Sequence, residues 1–395
     1  PLRRQRQMCI RDRKMKILLV FIDMIRVDHL SLYNDNMEKT SLDLFFENLG
    51  GTILTNCYTP APDTPRSIAC LQSGLLPYLN GCDSRVKWPR YFMKPNIETI
   101  FDIAVGLGYK VNLCATKSDI ETGLFKFKEN ENISIFTTIE DFTDTVHLSE
   151  NTLSLIAIDD YHSAIDDYGG TSLGIKEGQK VILYSLNNFL TPDIVNKYDY
   201  SFFFSDHGHA LQSEIVMQKN KLELLSDGRT KLFMFYHNIN NKKIVKDSRL
   251  ASILDLYASI VDLIGSGDFR QGFSFFRDSQ RDILHIEDHA DFRVSPEQIV
   301  SQWRVISDEI DIRTNVFETL NKKGQIIDIN VVKKYLDSFS PSFSYYMKQI
   351  EILKMYEKMK QRKTHYFNGV KRANWWIRCY VRIINRLYIL INRLK

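Results

Sequence analysis

Residues 17–23 read ILLVFID, an uninterrupted apolar run that ends in an acidic residue. A run of branched and aromatic side chains without polar alternation is typical of a strand buried on both faces of a parallel sheet. Similar short runs recur, with helical patterns between them. The runs lie at residues 52–58, 110–115, 133–137, 153–158, 201–204 and 231–236, and the helical patterns at residues 41–48, 97–106, 178–189 and 250–264. This alternation predicts an α/β fold with a doubly wound, mostly parallel sheet flanked by helices.

The pattern changes along the chain and predicts four parts. Residues 15–270 carry the alternation of strands and helices and are expected to form one large catalytic domain. Mixed short segments at residues 271–365 predict a smaller α+β subdomain, and residues 366–395 predict a basic amphipathic helix. Residues 1–14 are expected to be disordered or an artefact, because Met15 followed directly by a strand resembles a natural start.

The composition excludes several classes of protein. Hydrophobic residues make up 44% and aromatic residues 12% of the 395 residues, which supplies a large core and rules out disorder as the main state. The formal charge of +4 conceals basic ends, at residues 1–14 and 371–395, around an acidic middle. Because the basic charge lies at the ends of the chain rather than on a folded face, we expect no binding to nucleic acid.

The cysteines and apolar runs bear on the compartment. The six cysteines form no CxxC pair and no disulfide framework, which favours a reducing compartment. We find no apolar run of transmembrane length in the sequence, and the basic start lacks the apolar core of a signal peptide. We therefore expect a cytoplasmic protein, either free or peripheral at the membrane.

The tail of the chain is the reason for considering a membrane surface. Within residues 375–394 several arginines follow one helical face, while tryptophan, isoleucine, leucine and tyrosine fill much of the rest. This pattern is typical of a helix that lies in the membrane interface and is attracted to anionic lipids. A helix that docks on the domain with its arginines in water accounts for the same pattern.

Acidic and imidazole side chains follow two of the predicted strands. Asp23 comes directly after residues 17–22, and Asp206 and His207 follow the run at residues 200–204. Ligands bind at the carboxyl ends of the strands in open parallel sheets, so these groups predict a site for one divalent metal ion, Zn²⁺, Mn²⁺ or Ca²⁺. A helix cap or a strand-end turn explains the same residues without a metal.

A hydroxyl group lies at the predicted start of a helix. Thr64 followed by Pro65 reads as an N-cap and a first helical residue, because threonine accepts from unpaired backbone N–H groups and proline has none. The same position suits attack on a bound ester, since the positive end of a helix attracts phosphate or sulfate. The two interpretations are compatible.

Three sequence blocks resemble the alkaline phosphatase and sulfatase superfamily, in the same order. They are Asp-x-x-Arg-x-Asp-His-Leu after an apolar strand at residues 23–30, Thr-x-x-Ser-x-Ala-x-Leu-x-Ser-Gly at residues 64–74, and Ser-Asp-His-Gly at residues 205–208. The similarity extends over residues 16–275. It implies an alkaline-phosphatase-like fold.

The resemblance also implies roles for individual residues. Asp23, Asp206 and His207 become ligands of the metal ion, and Thr64 becomes the covalent nucleophile. Sulfatases carry a cysteine or serine at the nucleophile, which is converted to formylglycine, and threonine cannot give that aldehyde. Met24 also stands where a second aspartate is usual. A threonine with one acid and one Asp-His pair resembles phosphoethanolamine transferases and lipoteichoic acid synthases, which form a phosphothreonine.

These comparisons of motifs set the functional expectation. The chain is expected to be a metal-dependent enzyme that cleaves or transfers a phosphoester group through Thr64. Its substrate is expected to be a phosphoester or sulfate ester, lipid-linked or on a saccharide. The alternative is a sulfuric ester hydrolase, and the alternative from another class is a catalytically degenerate binding protein with the same fold.

Four further residues are candidates for substrate binding: Arg66, His162, His209 and Lys221. His209 follows His207 by two positions. His162 follows an apolar run, and the sequence Asp160-Tyr161-His162 resembles the substrate-facing Asp-x-His of sulfatases. Lys221 lies near the position of an anion-binding lysine in the family. Arg66 could supply the positive charge of an arginine that is Ile68 here, although an exposed arginine of the first helical turn is the simpler expectation.

Two more histidines resemble a metal motif but lie outside the three blocks. His285 and His289 are the first and last residues of the sequence HIEDH. We expect them to lie in a solvated loop.

Overall fold

A computed structural model of the chain describes residues 14–82, 93–146, 148–211, 225–289, 301–307, 311–315 and 319–320. A large sheet of eight strands runs through its centre, in the order β4-β3-β5-β1-β6-β7-β2-β8. The strands are β1 (Lys16–Ile22), β2 (Gly51–Tyr58), β3 (Lys110–Cys114), β4 (Ile133–Phe136), β5 (Thr152–Ile158), β6 (Tyr200–Phe204), β7 (Met234–Asn238) and β8 (Ile244–Ser252). Strand β7 is antiparallel to both of its neighbours, and the other five neighbouring pairs are parallel.

Helices pack on both faces of this sheet. They are α1 (Ser41–Leu49), α2 (Thr64–Ser73), α3 (Pro77–Asn80), α4 (Ile100–Gly106), α5 (Lys117–Glu121), α6 (Ile139–Thr145), α7 (Asp160–Asp167), α8 (Ser172–Phe189), α9 (Pro192–Val195), α10 (Asp227–Thr230) and α11 (Ile253–Leu263). The helices α1, α4 and α11 each begin with a capping box formed by Thr40, Thr99 and Ser252 with the aspartate three residues on. Such reciprocal caps fix where a helix starts.

Strand β1 shows why the sheet has two cores. Its alternate side chains Ile17, Leu19 and Phe21 belong to one buried cluster, and Leu18, Val20 and Ile22 belong to the other, on the opposite face. Because successive side chains of a strand point to opposite faces, a fully apolar strand is needed where helices cover both. The predicted doubly wound, mostly parallel sheet is therefore confirmed.

The sequence patterns missed β8 and misplaced the helix after it. Residues 250–252 belong to the strand, and α11 begins only at Ile253. The first part of β8 carries Lys246, Asp247 and Arg249, and it is partly exposed at the edge of the sheet. Charged residues are common on edge strands because they discourage pairing with other chains, so the pattern lacks the apolar run that marks a buried strand.

A second, antiparallel sheet follows the large one. Its strands are β9 (Ile283–His289), β10 (Ser301–Ser307), β11 (Asp311–Asn315) and β12 (Thr319–Leu320), in the order β12-β11-β10-β9. A small apolar cluster joins it to the large sheet, with Leu284 and Ile286 of β9 packed near Tyr58 and Leu250. The division at residue 270 stays a prediction.

Two histidines expected in a solvated loop lie in a strand instead. His285 is buried in β9, and His289 is the last residue of that strand. The expectation was wrong because HIEDH pairs with β10, His285 opposite Val305 and Glu287 opposite Trp303. Polar sequence alone does not reveal such pairing.

Several sequence expectations fall on residues that the structure does not describe. The expected disorder of residues 1–14, apart from Lys14, and the basic helix at residues 366–395 lie outside the described part of the chain. Lys221 does so as well. Within the described part, none of the helices has the length and apolar character needed to cross a membrane.

Candidate metal centre and nucleophile

The predicted metal ligands meet at the carboxyl edge of the large sheet. Asp23 directly follows β1, and Asp206 follows β6, which is the neighbour of β1 in the sheet. Asp23, Asp206 and His207 each offer a ligand atom within 4.8 Å of the others, and all three side chains are buried. The strand order thus gathers two oxygens and one nitrogen from positions far apart in the sequence.

The imidazole of His207 is oriented by its own loop. Its Nδ1 atom lies 2.6 Å from the carbonyl oxygen of Gly208, so that nitrogen carries the proton and donates. Its Nε2 atom is then the basic nitrogen, and it lies 3.2 Å from the hydroxyl oxygen of Thr64 and 3.4 Å from Oδ2 of Asp206. A neutral imidazole held in this tautomer is the form that binds a metal.

Asp206 is held by only one of its two oxygens. Its Oδ1 accepts from the backbone N–H groups of His207, at 2.8 Å, and Met24, at 3.3 Å. Its Oδ2 is buried and has no hydrogen-bond partner among the residues that the structure describes. Burial, and after it the negative charge of Asp23, raises the pKa of Asp206 well above its ordinary value.

The unpaired Asp206 oxygen tests whether the residues fit a metal ion. A buried carboxylate oxygen without a donor is costly unless a cation pairs with it. Two carboxylates and one imidazole are donors that Zn²⁺ or Mn²⁺ accepts, and the third side chain completes the minimum set of a catalytic zinc site. The donor set of Asp23, Asp206 and His207 therefore fits one divalent cation.

Met24 occupies the place of the usual second aspartate. Its backbone has φ 61°, in the left-handed region that a non-glycine residue rarely adopts. In this conformation its N–H reaches Asp206, and its carbonyl oxygen lies 3.4 Å from Nδ1 of His209. The backbone of Met24 thus supports the metal ligands, while its side chain offers no carboxylate.

His162, on the helix that follows the neighbouring strand β5, contacts the predicted metal ligand Asp23. It lies in α7, just after β5, and its Nδ1 is 2.7 Å from Oδ2 of Asp23. Burial alone would raise the pKa of Asp23, but the hydrogen bond from His162 and the charges of His207 and His162 outweigh it and lower that pKa. The same hydrogen bond raises the pKa of His162. His162 therefore orients Asp23, and the carboxylate in turn favours the charged form of the imidazole.

The helix that carries Thr64 starts one residue earlier than the sequence suggests. Asp63, in extended conformation, is the N-cap, and its carboxylate accepts from the backbone N–H of Arg66. Thr64 is the first helical residue and Pro65 the second. The expectation that Thr64 is the cap is wrong, because the neighbouring aspartate takes that role and leaves the threonine hydroxyl to the metal ligands.

The Thr64 hydroxyl lies among the predicted metal ligands. Its oxygen is 3.4 Å from Oδ1 of Asp23 in addition to its contact with His207. Ser67, one turn further along α2, donates to the carbonyl oxygen of Asp206 at 2.8 Å. The first turn of α2 therefore presents Thr64 to the site and braces the loop that carries Asp206.

Arg66 is not exposed, contrary to expectation. Its side chain is 1% exposed and forms ion pairs with Asp63 and Asp288. These two carboxylates keep the guanidinium buried, because a buried cation needs a charged partner once it has lost its contact with water. Arg66 does not line the pocket described below, so its role in substrate binding stays a prediction.

His209 lies beside the centre but is oriented by other groups. Its ring packs against Tyr161, with ring centroids 6.4 Å apart. Burial first, and then the positive charge of Arg26, lowers the pKa of His209 to about 4. His209 is therefore neutral at pH 7, and a substrate role for it stays a prediction.

A pocket of about 370 Å³ opens beside Thr64. It is lined by Phe21, Asp23, Thr64, Pro65, Asp119, Leu124, Asp159, His162, Ser163 and Asp166. Burial, and then the charges of Asp119 and Asp23, raises the pKa of Asp159 to about 7. Sequence reasoning missed Asp119, Asp159 and Asp166. The available signal was that Asp159 directly follows the apolar strand β5, as Asp23 follows β1.

Comparison with solved structures finds similar folds over most of the chain. A 2-O GAG sulfatase superposes with a TM-score of 0.61 at 14% sequence identity, covering 90% of this chain and 94% of its own. A protein in the alkaline phosphatase superfamily from Vibrio parahaemolyticus gives a TM-score of 0.58 at 14% identity, covering 82% and 85%. Phosphonate monoester hydrolase of Agrobacterium radiobacter gives 0.50 at 11% identity, covering 88% and 96%.

No protein-family profile and no curated protein matches the sequence. The structural comparisons nevertheless agree with one another and with the sequence blocks. The chain has the fold of the alkaline phosphatase and sulfatase superfamily, as predicted. Identities of 14% or less show the fold alone, so the reaction has to be argued from the site.

Proposed function

We propose that this protein is a metal-dependent enzyme that cleaves or transfers a phosphoester group through a covalent bond to Thr64. The observation that carries the proposal is the position of the Thr64 hydroxyl, which lies within 3.4 Å of both Asp23 and His207. A nucleophile of a phosphoryl-transfer enzyme has to lie beside the charge that activates it. A divalent ion held by Asp23, Asp206 and His207 would supply Lewis-acid chemistry, polarising the ester oxygens and favouring the ionised hydroxyl.

The proposed covalent step uses the residues of the site. The Thr64 oxygen attacks phosphorus, the bond from phosphorus to the ester oxygen breaks, and the alcohol leaves. Asp23, whose carboxylate lies in reach of Thr64, accepts the hydroxyl proton, which then passes to the departing oxygen. Water or an acceptor alcohol then attacks the phosphothreonine, which regenerates the Thr64 hydroxyl and completes hydrolysis or transfer.

Within the described part of the chain, the site offers the anionic substrate little positive charge. In the first turn of α2, Pro65 has no N–H group and the N–H of Arg66 donates to Asp63. Among the described residues that line the pocket, His162 is the only side chain that can carry positive charge, and its pKa is raised. Binding of the ester oxygens therefore depends on the metal ion and on His162.

The acidic lining of the pocket supports a phosphoester over a polysulfated saccharide as the proposed substrate. Asp119, Asp159 and Asp166 line it beside the nucleophile. Clustered carboxylates repel a polyanion more strongly than a substrate with a single negative charge, because the repulsion between like charges grows with their number. Thr64 adds to this preference, since threonine cannot form the formylglycine that sulfatases use.

The finer parts of the hypothesis extend this proposal. A lipid-linked donor and a contact of residues 375–394 with a membrane surface are proposed from the sequence pattern of the tail, as is a cytoplasmic location. A phosphoethanolamine or phosphoglycerol group is the corresponding transferred group. A saccharide ester remains the alternative substrate.

The proposal is tested by measuring metal content and turnover on the same preparation. Mn²⁺ or Zn²⁺ is titrated into the wild type and Asp206→Ala, and activity is assayed on p-nitrophenyl phosphate, bis-p-nitrophenyl phosphate and p-nitrophenyl sulfate. We expect one ion per chain in the wild type, phosphoester cleavage and no sulfate release. Preferred sulfate release would favour the sulfatase alternative, and a protein with no metal and no turnover would favour the binding-protein alternative.

A further inference from the structure

Asp288 joins the nucleophile helix to the loop that carries His207. It lies in β9 of the second sheet, and its side chain is 9% exposed. Its Oδ1 accepts from Arg66 at 2.6 Å, and its Oδ2 accepts from Arg229 at 2.9 Å. One carboxylate thus bridges two guanidinium groups from different parts of the chain.

The Arg66 arm reaches the start of the helix. Arg66 follows Thr64 by two residues in α2, and its Nε donates to the carboxylate of the N-cap residue Asp63. Its Nη1 also donates to the carbonyl oxygen of Glu287, at 3.4 Å. Asp288 therefore holds the first turn of α2, where Thr64 lies.

The Arg229 arm reaches the metal-ligand loop. The carbonyl oxygen of Arg229 accepts from the N–H of Gly208, the residue after His207, at 2.9 Å. Its Nη2 donates to the carbonyl oxygen of Pro62 at 3.2 Å. The position of Arg229 therefore fixes both the His207 loop and the chain that leads into α2.

The second sheet also contacts this chain through its backbone. The N–H of Glu287 donates to the carbonyl oxygen of Pro60 at 2.9 Å. Close to it, Arg304 of β10 donates to the carbonyl oxygen of Leu225, at 3.1 Å, and to the hydroxyl of Thr230, at 3.0 Å. The sheet thus packs on both segments whose separation matters for the site.

The charges of this network are buried, which argues for a positional role. Burial alone would raise the pKa of Asp288, but the charges of Arg229 and Arg66 outweigh it and keep that pKa below its ordinary value. Buried ion pairs often contribute little net stability, because desolvation offsets their attraction. What such a network does supply is one fixed geometry.

We infer that Asp288 is a positioning residue that sets the distance between the Thr64 hydroxyl and the His207 imidazole. The second sheet is then part of the catalytic apparatus, although none of its described side chains lines the pocket. The kinetic consequence rests on the proposed function, whereas the distance itself does not. A misplacement of about 1 Å by a residue remote from the reacting atoms is enough to slow catalysis about 10²-fold.

The test compares Asp288→Asn with a matched control. Asp255→Asn removes a carboxylate that is equally buried and pairs with Arg281, but that contacts neither Arg66 nor Arg229 in the bonds described. Crystal structures give the distance from Thr64 to His207, thermal denaturation gives stability, and kinetics on bis-p-nitrophenyl phosphate gives kcat and KM separately. Asp288→Glu, which keeps the charge, is the conservative variant.

For Asp288→Asn we expect the distance to grow by about 1 Å and kcat to fall about 10²-fold, with KM within about threefold. Asp288→Glu should recover part of kcat, and Asp255→Asn should keep the wild-type distance at a comparable loss of stability. An unchanged distance in Asp288→Asn, or an equal loss of kcat in Asp255→Asn, overturns the inference.

Two further provisions keep the test decisive. If Asp288→Asn does not fold, Arg229→Met is used instead, because it removes the contact between Asp288 and Arg229. The Arg229 side chain is 18% exposed, and the same criteria apply. If the wild type cleaves no ester, the proposed function fails, and the crystallographic distance alone decides the role of Asp288.

Discussion

The hydroxyl oxygen of Thr64 lies 3.2 Å from Nε2 of His207, although 143 residues separate them in the sequence. Thr64 reaches this position because Asp63 caps its helix, and His207 reaches it because Gly208 orients the imidazole. Asp23 lies beside both at the end of the adjacent strand. The site is therefore built by three separate segments of the chain.

The first prediction concerns the nucleophile. Thr64→Ala should lower kcat for phosphoester cleavage by about 10³-fold or more, because no other oxygen takes the place of a removed nucleophile. Thr64→Ser should retain measurable turnover. Rapid quenching with a slow donor, followed by peptide mass spectrometry, should find the phosphate on Thr64 in the wild type. Phosphate on Ser67 or Ser163 instead would show that Thr64 is not the nucleophile.

The second prediction concerns the free energy of unfolding and the metal ion. At a metal concentration of 100 times Kd, binding to the folded state alone should stabilise the wild type by about 2.7 kcal/mol. Asp206→Asn should lose this increment, since the buried oxygen that we assign to the cation is gone. Denaturation in urea with and without EDTA measures the difference. An equal increment in the variant would place the metal elsewhere.

The third prediction tests whether His162 orients the metal ligand Asp23 or binds the metal ion itself. His162→Gln should weaken metal affinity about 10- to 100-fold, as expected for a partner that hydrogen-bonds a ligand. His237→Gln is the matched control, because His237 bonds to Gly50 and Asn196 away from the site. Calorimetric titration measures both. Loss of all metal binding in His162→Gln would show that His162 is itself a ligand.

The fourth prediction is a pH dependence of stability in the metal-free protein. The pKa of Asp159 is raised to about 7, so the folded state holds a proton that the unfolded state releases between about pH 4 and pH 7. Stability therefore falls as pH rises through this window, by on the order of 2–4 kcal/mol.

Asp159→Asn should remove the part of this fall that comes from Asp159 and make the metal-free protein more stable than the wild type at pH 8. The exposed Asp144→Asn serves as control and should follow the wild type. Urea denaturation at pH 5 and pH 8 measures the effect. An unchanged difference between the two pH values in Asp159→Asn would rule out Asp159 as its source.

The sequence predicted those features that depend on local pattern and on sheet topology. A run such as ILLVFI identifies a strand buried on both faces, and parallel strands bring their carboxyl ends to one edge. Asp23 and Asp206 could therefore be expected to meet once both were placed after strands. The three motifs, found in the same order as in the family, added Thr64 to the site. The periodicity of the sequence does not connect Thr64 with Asp23 or Asp206.

The features that the sequence did not predict depend on distant partners. Arg66 is buried because Asp288, 222 residues away, pairs with it. His285 is buried in β9, a polar segment that becomes a strand by pairing with β10. Strand β8 lacked an apolar run because it lies at an edge. In each case the residue's environment is set by a segment that its neighbours in sequence do not specify.

The central claim is that Asp23, Asp206 and His207 hold one divalent cation next to Thr64. The most direct test is a crystal structure of the protein grown with Zn²⁺ or Mn²⁺, with anomalous diffraction recorded at the metal's absorption edge. The account predicts a single peak about 2.0–2.3 Å from an atom of each of the three side chains. The absence of a peak there, or a peak bound by other residues, would contradict it.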